Sequence, residues 1–228
     1  MKKALIAVTV IIIIVCVIVG IVMLKSNQND VNAIAENQDS NSQEELNSST
    51  EDKESSNKKI LIAFFSRPGE NYSVGTVEVG NTEIMANNIA EITGGDLYKI
   101  NPVIEYPNSY EEAKKVATRE QNENIRPEIE TKVNNFEEYD TIFIGYPIWY
   151  GDYPMIINTF IESYDFSGKT VIPFNTHEGS GNAGTFANIK NKLSNSTVLD
   201  GLSIRGSEAR EESSKGTIEN WIDKLLVI

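Results

Sequence analysis

The stretch that decides the fold runs from Lys59 to Thr93: "KILIAFF" (59–65), "SRPGENYSVGTVEVGNT" (66–82) and "EIMANNIAEIT" (83–93). The first part is a continuous apolar run after one lysine, the composition of a strand buried on both faces of a parallel sheet. The last part carries Ile84, Met85, Ile89 and Ile92 at helical spacing and stops at Gly94-Gly95, a helix terminus. The loop between them opens on Ser66-Arg67 and closes on Gly80-Asn81-Thr82. Hydroxyls, an amide and backbone N–H groups ahead of a helix make a phosphate cradle. No Walker lysine follows, and the glycines are too far apart for a dinucleotide fingerprint. A monoester phosphate on a small molecule fits better. The same residues also suit an ordinary turn with a helix N-cap at Asn81 or Thr82, so the stretch alone leaves both readings open.

Downstream, the pattern of that first unit repeats. "DLYKINP" reads as a short strand and Tyr110–Asn122 as a helix with Ala113, Val116 and Ala117 on its inner face. "NENIRPEIETKVNNFEEY" reads as a loop with a helical turn. "YDTIFIGYPIWY" contains the clearest later strand, and "PMIINTFIESY" a helix with Pro154 in its first turn. "KTVIPFNTH" and "STVLDGLSI" read as strands, "GTFANIKNKL" and "TIENWIDKLLV" as helices. Strands and helices alternate about five times. That pattern implies an α/β fold, a doubly wound parallel sheet with helices on both faces. In such sheets ligands sit beyond the C-terminal strand ends, near the switch in strand order. With strand order 2-1-3-4-5, the loops after strands one, three and four converge.

Upstream the chain changes character. Ala4 to Leu24 carries no charge, and at 1.5 Å per residue it spans about 30 Å, the thickness of bilayer hydrocarbon. Residues 1–26 are read as a transmembrane anchor rather than a cleaved signal, because no small-x-small site closes the apolar run. Lys2 and Lys3 precede it, and acidic residues dominate beyond Lys25, which places the domain outside the cytoplasm, single-pass in the cell membrane. Residues 27–58 hold no aromatic and almost nothing apolar, and read as a disordered polar linker. Residues 59–228 remain for one domain.

The net charge of −13 argues against a nucleic-acid partner. Cys16, the only cysteine, lies in the apolar span, and His177 is the only histidine. The domain therefore offers no thiolate nucleophile, no disulfide and no cysteine or histidine metal cluster.

The two further loops carry distinct chemistry. Tyr146, Trp149, Tyr150 and Tyr153 crowd the second, beside Pro147, Ile148 and Gly151. Aromatics at a strand end offer a stacking surface to a flat ligand, or pack a helix against a loop. The third, Thr176, His177, Glu178, Gly179, Ser180 and Gly181, is glycine-rich, and lets backbone approach a ligand closely. His177 reads either as a proton donor or as an exposed loop histidine.

With "FSR…GNT", "GYPIWYG" and "THEGSG" in this order, Lys59 to Leu226 resembles the flavodoxin-like family. The resemblance implies a five-stranded flavodoxin-like domain holding non-covalent FMN. It places Ser66, Arg67, Asn81 and Thr82 on the phosphate, and Pro147, Ile148, Trp149 and Tyr150 on the isoalloxazine ring. Thr176, His177, Glu178, Gly179, Ser180 and Gly181 would lie at the ring's polar edge. It implies an electron carrier for one or two electrons, with a redox partner protein or a small electron acceptor. An FMN-dependent NAD(P)H:quinone-type oxidoreductase is the alternative, and a pocket made by the long first loop over the ring would favour it. A flavin-free module that keeps the fold is the third reading. No catalytic residue follows from the sequence, and no metal is expected. The excursion at 68–79 lengthens the first loop, with Tyr72 or Val77 placed over the cofactor's edge.

Overall fold

The computed structural model describes residues 58–226. The expected membrane anchor and the linker up to residue 57 lie outside them. Among the described residues no helix is long and apolar enough to cross a membrane.

Strand β1 (Ile60–Phe64) lies inside a parallel sheet, next to its edge strand. After it come a short antiparallel hairpin, β2 (Gly69–Asn71) and β3 (Gly75–Val77), and helix α1 (Asn81–Thr93). Edge strand β4 (Asp96–Lys99) pairs with β1, and helix α2 (Tyr110–Asn122) follows a long connection. A 3-10 turn at Phe136–Glu138 leads into β5 (Thr141–Pro147), paired with the other side of β1. Helix α3 (Met155–Glu162), strand β6 (Thr170–His177) and helix α4 (Thr185–Lys192) continue the alternation. Strands β7 (Thr197–Val198) and β8 (Leu202–Arg205), the short helix α5 (Gly206–Ala209) and helix α6 (Ser213–Leu226) complete the described residues. The sheet runs β4-β1-β5-β6, and β7 and β8 both pair with β6.

The strand residues alternate between two apolar layers, as pleating requires. Leu61, Ala63, Ile142 and Ile144 face α3 and α4 through Ile156, Ile157, Phe160 and Ile189. Ile62, Phe64, Phe143 and Phe174 face α1 and α6 through Met85, Ile89, Ile218 and Ile222. Both faces of the sheet are thus covered, which accounts for the unbroken apolar runs in β1 and β5.

Two elements differ from the sequence reading. "STVLDGLSI" is two short strands rather than one. The register steps from Val171↔Val198 to Phe174↔Leu202, so one extra residue bulges out opposite Pro173, which has no N–H for the ladder. Trp221 Nε1 donates to the Asp200 carbonyl at this bulge, at 3.1 Å. The second difference is the excursion in the first loop, which forms the β2–β3 hairpin. Ser73 and Gly75 take the left-handed backbone its turn needs, at φ of 68° and 78°.

Candidate functional site

The C-terminal ends of β1, β5 and β6 lie side by side, and their loops surround a cavity of about 270 Å³. All the candidate residues line it except Gly179 and Gly181. Tyr72 lines it as well; Val77 does not.

The floor is built from hydroxyls. Thr82, at the start of α1, and Thr176, near the end of β6, share a buried hydrogen bond of 2.8 Å between their Oγ1 atoms. Ser66 Oγ accepts the Glu83 N–H at 3.1 Å, tying the first loop to the first turn of α1. The N-cap is Gly80 rather than Asn81 or Thr82, so the cap residue itself offers no side chain, and the Ser66 hydroxyl takes only the third N–H. The N–H groups of Asn81 and Thr82 have no intrahelical acceptor, so the positive end of the helix faces the cavity. Gly80 is required by space: a Cβ there would lie 2.3 Å from Ser66 Oγ and 2.7 Å from the Arg67 carbonyl oxygen. Glu83 turns away to pair with Lys99 at 2.8 Å, leaving the helix start free of an inward-facing carboxylate.

Arg67 serves the loop's architecture. Its Nη1 donates to the carbonyls of Pro107 (2.8 Å) and Asn108 (3.0 Å), and its Nη2 to that of Glu70. Burial lowers its pKa, and its buried Nε has no partner among the described residues. Together with Glu70 N–H to the Asn108 carbonyl (2.9 Å), these bonds clamp the β2–β3 hairpin to the 102–109 segment. Glu70 Oε2 accepts the Tyr110 N–H at the start of α2, and the Tyr72 ring lies 5.7 Å from that of Tyr110.

The aromatic loop divides in two. Tyr146 and Tyr153 are core: Tyr146 donates to Thr185 Oγ1 (2.9 Å), and Tyr153 to Asn158 Oδ1 (3.3 Å). Trp149 stands edge-on to Phe65 and Tyr106, with ring centroids 5.3 and 5.0 Å away, and lines the cavity. Trp149 and Asp152 exchange backbone hydrogen bonds across Tyr150-Gly151. Both corner residues have positive φ, 53° and 79°, which makes a tight I′-like turn. Tyr150 is thereby held in a left-handed conformation that a bulky side chain disfavours, and is 64% exposed at the rim.

In the third loop His177 Nδ1 accepts the Gly179 N–H at 2.9 Å, so in the neutral ring the proton sits on Nε2. Burial and the neighbouring Arg205 guanidinium lower its pKa. Glu178 is pushed the other way by burial; one of its carboxylate oxygens has no partner among the described residues. That carboxylate occupies the space where Gly206 has no side chain. Asn81 Oδ1 accepts from Arg210 (3.0 Å), which also bonds the Val79 carbonyl and holds the exit of the first loop.

Sequence reasoning missed Asn71, Tyr110, Ala113, Lys114 and Ala117, which make the cavity's outer wall. The signal was the smallness of Ala113 and Ala117, four residues apart on α2. A helix face built only to pack against the core would carry larger side chains.

Comparison with known proteins accords with this geometry. The flavodoxin family model matches residues 59–225. An inferred flavoprotein of known structure from Bacteroides eggerthii DSM 20697 is 33% identical, with a TM-score of 0.61 over 75% of this chain and 99% of that one. Another, from Bacteroides uniformis ATCC 8492, is 31% identical, with a TM-score of 0.57 over 73% of this chain and 98% of that one. A flavoprotein from Lactobacillus acidophilus NCFM, solved in complex with FMN, is 24% identical over 66% of this chain and 95% of that one, with a TM-score of 0.51, a likeness of fold. A comparison with curated protein sequences gives no match. The chain therefore belongs to the flavodoxin family of FMN-binding proteins.

Proposed function

We propose that this protein is an FMN-dependent electron carrier, tethered to the membrane by residues 1–26. The observation that carries the reading is a single cavity combining a helix start, hydroxyls and an aromatic rim. The residues fit FMN on three structural grounds. Gly80 lets the first loop close onto the start of α1, where any side chain would strike Ser66 Oγ and the Arg67 carbonyl. The Asn81 and Thr82 N–H groups, the Ser66 hydroxyl and the one hydroxyl of the Thr82–Thr176 pair whose proton is free supply donors for a phosphate. Trp149 and Tyr150 supply a wall for a flat ring. Ser66, Asn81 and Thr82 would hold the phosphate, with Arg67 shaping the loop that carries them. Pro147, Ile148, Trp149 and Tyr150 would flank the ring, and Thr176 to Gly181 would meet its polar edge. When bound, FMN supplies one- and two-electron redox chemistry. The side chains bind it, orient it and exclude water. The acidic surface favours a basic redox partner.

Expression of the full chain and of residues 59–228 tests this reading. The full chain should fractionate with membranes and carry flavin absorbance. The isolated domain should be soluble and retain that absorbance through gel filtration. A colourless domain that cannot be reconstituted with FMN overturns the flavin claim, and a full chain released by a salt wash overturns the tether.

A second reading, an FMN-dependent reductase of a small acceptor, is supported by the hairpin. Clamped by Arg67 and carrying Tyr72, it walls one side of the cavity that would hold the ring. Such a wall narrows access for a large protein and suits a small substrate.

A further inference from the structure

Two carboxylates flank the start of α1. Glu83 is neutralised by Lys99 at 2.8 Å. Glu178 lines the cavity from the third loop and makes no ion pair among the described residues.

Three observations set Glu178 apart. The first is where its carboxylate sits. Glu178 Oε1 and Asn81 Nδ2 each lie 2.2 Å from the point that a Cβ on Gly206 would occupy. The third loop, the first turn of α1 and the corner between β8 and α5 thus meet at one spot, left open because residue 206 is glycine. The second is that Oε1 is buried and accepts no hydrogen bond among the described residues. A buried charged oxygen without a donor is costly, and a neutral carboxyl much less so. The third is that the cations around the cradle are taken up. Arg67 gives its Nη groups to carbonyls, Arg210 bonds Asn81 Oδ1 and the Val79 carbonyl, and Lys99 holds Glu83. The groups facing the carboxylate are few. Arg205 of β8 and the Gly206 N–H of α5 favour its charged form, and Glu208 of α5 opposes it. His177 beside it is held toward neutrality by burial and Arg205, and Asn81 of α1 is an uncharged amide. Burial outweighs the rest, so the carboxyl holds its proton more tightly than an ordinary carboxylate even before a ligand arrives.

We propose that Glu178 is a charge-compensating residue of the phosphate site: as FMN binds, its carboxylate takes up a proton from solvent, so that the phosphate enters a cradle with no facing anion. The proposal rests on the flavin reading and adds to it the residue that sets which charge the cradle admits. Like charges close together in a partly buried site repel far more strongly than in water, and one proton removes that repulsion. The sign follows. Relative to a protein that cannot ionise at residue 178, FMN affinity is full at low pH and falls as pH rises through the Glu178 pKa of the flavin-free domain. Riboflavin, which lacks the phosphate, draws no proton.

The test uses residues 59–228, a piece that matches an entire solved relative over 99% of that chain and so corresponds to a self-sufficient domain. The flavin-free domain and its Glu178→Gln variant, which keeps the shape and cannot ionise, are titrated with FMN and with riboflavin across pH. The ionisation of the phosphate itself is common to both proteins and cancels in the comparison. At about pH 8 the variant should bind FMN at least about tenfold tighter than wild type, with the gap closing toward about pH 5. Riboflavin affinities should agree within about twofold throughout. Calorimetry of the wild type in buffers of different ionisation enthalpy reads the proton without any variant: near pH 7 FMN should draw more protons from the buffer than riboflavin does. Equal FMN affinity in the two proteins, a gap that ignores pH, the same gap for riboflavin, or no extra proton with FMN overturns the role of Glu178 and leaves the flavin reading standing. A domain that binds neither flavin fails at the earlier step, and the riboflavin titration shows it.

Discussion

Gly80→Ala is the sharpest probe of the cradle, because φ at Gly80 is −70° and the backbone tolerates any residue there. The whole effect comes from space. The added Cβ would meet Ser66 Oγ at 2.3 Å and the Arg67 carbonyl oxygen at 2.7 Å, where ordinary contact begins near 3.4 Å. The first loop and the start of α1 must therefore separate by about 1 Å. That movement breaks the 3.1 Å bond from Glu83 N–H to Ser66 Oγ and displaces the Ser66 hydroxyl from the cavity floor. Overpacking of this kind costs about 1–3 kcal/mol. Falling on binding, this is roughly a five- to 150-fold rise in the FMN dissociation constant. Falling on folding, it lowers the urea midpoint of the flavin-free domain. The assay is flavin fluorescence titration alongside urea denaturation. Gly216→Ala is the control: its Cβ meets nothing within 4 Å in α6, and it should stabilise the domain by about 0.5–1 kcal/mol without touching FMN affinity. A Gly80→Ala domain with FMN affinity within about twofold of wild type and an unchanged urea midpoint refutes the tight closure at Gly80.

Three other perturbations follow from single side chains. Trp149→Ala removes two edge-to-face contacts, each worth about 0.5–1.5 kcal/mol; thermal stability and FMN affinity should both fall, with Trp149→Phe intermediate. Tyr150→Asn places an Asn-Gly pair in the I′-like turn. It should raise the stability of the flavin-free domain by roughly 1 kcal/mol by relieving left-handed strain, while FMN affinity drops; a loss of stability would contradict the strain argument. Glu120 is buried and accepts the Tyr106 hydroxyl at 2.9 Å, and burial raises its pKa above the ordinary carboxylate value. The folded state thus favours the protonated form. This stabilisation is fully present below about pH 4.5 and is lost as pH rises through the folded pKa. Glu120→Gln should therefore be more stable than wild type at pH 7, the gap closing toward pH 4 in urea midpoints measured across pH; a gap independent of pH would contradict this.

Much of the site was legible because its parts are local. "GNT" before an apolar helix and a glycine-rich loop after an apolar strand are short-range patterns. The strands that carry them were readable from hydrophobicity, and their adjacency then brings the loops together. Arg67 shows where such reading stops. Its residue type marked it for an anion, but its Nη groups are taken up by carbonyls of Glu70, Pro107 and Asn108, two of them some forty residues away. Nothing near Arg67 in the chain announces those partners. The hairpin was hidden for a related reason, since three-residue strands carry too few alternations to register as a pattern. The split of the last strand depends on Pro173 in its neighbour, a residue of a different strand altogether. Tyr146 and Trp149 illustrate a third limit. Both are aromatics at the end of one strand, yet pleating turns Tyr146 into the core and the following turn leaves Trp149 at the rim.

The central claim is that the start of α1 and the hydroxyls around it hold the phosphate of FMN. Titrating the flavin-free domain in parallel with FMN and riboflavin, which differ only by that phosphate, measures it directly. The account predicts one-to-one binding of FMN at least about tenfold tighter than riboflavin, the scale of about 1.5 kcal/mol or more expected for hydrogen bonds to a charged group. Equal affinity for the two flavins, or binding of neither, would contradict it.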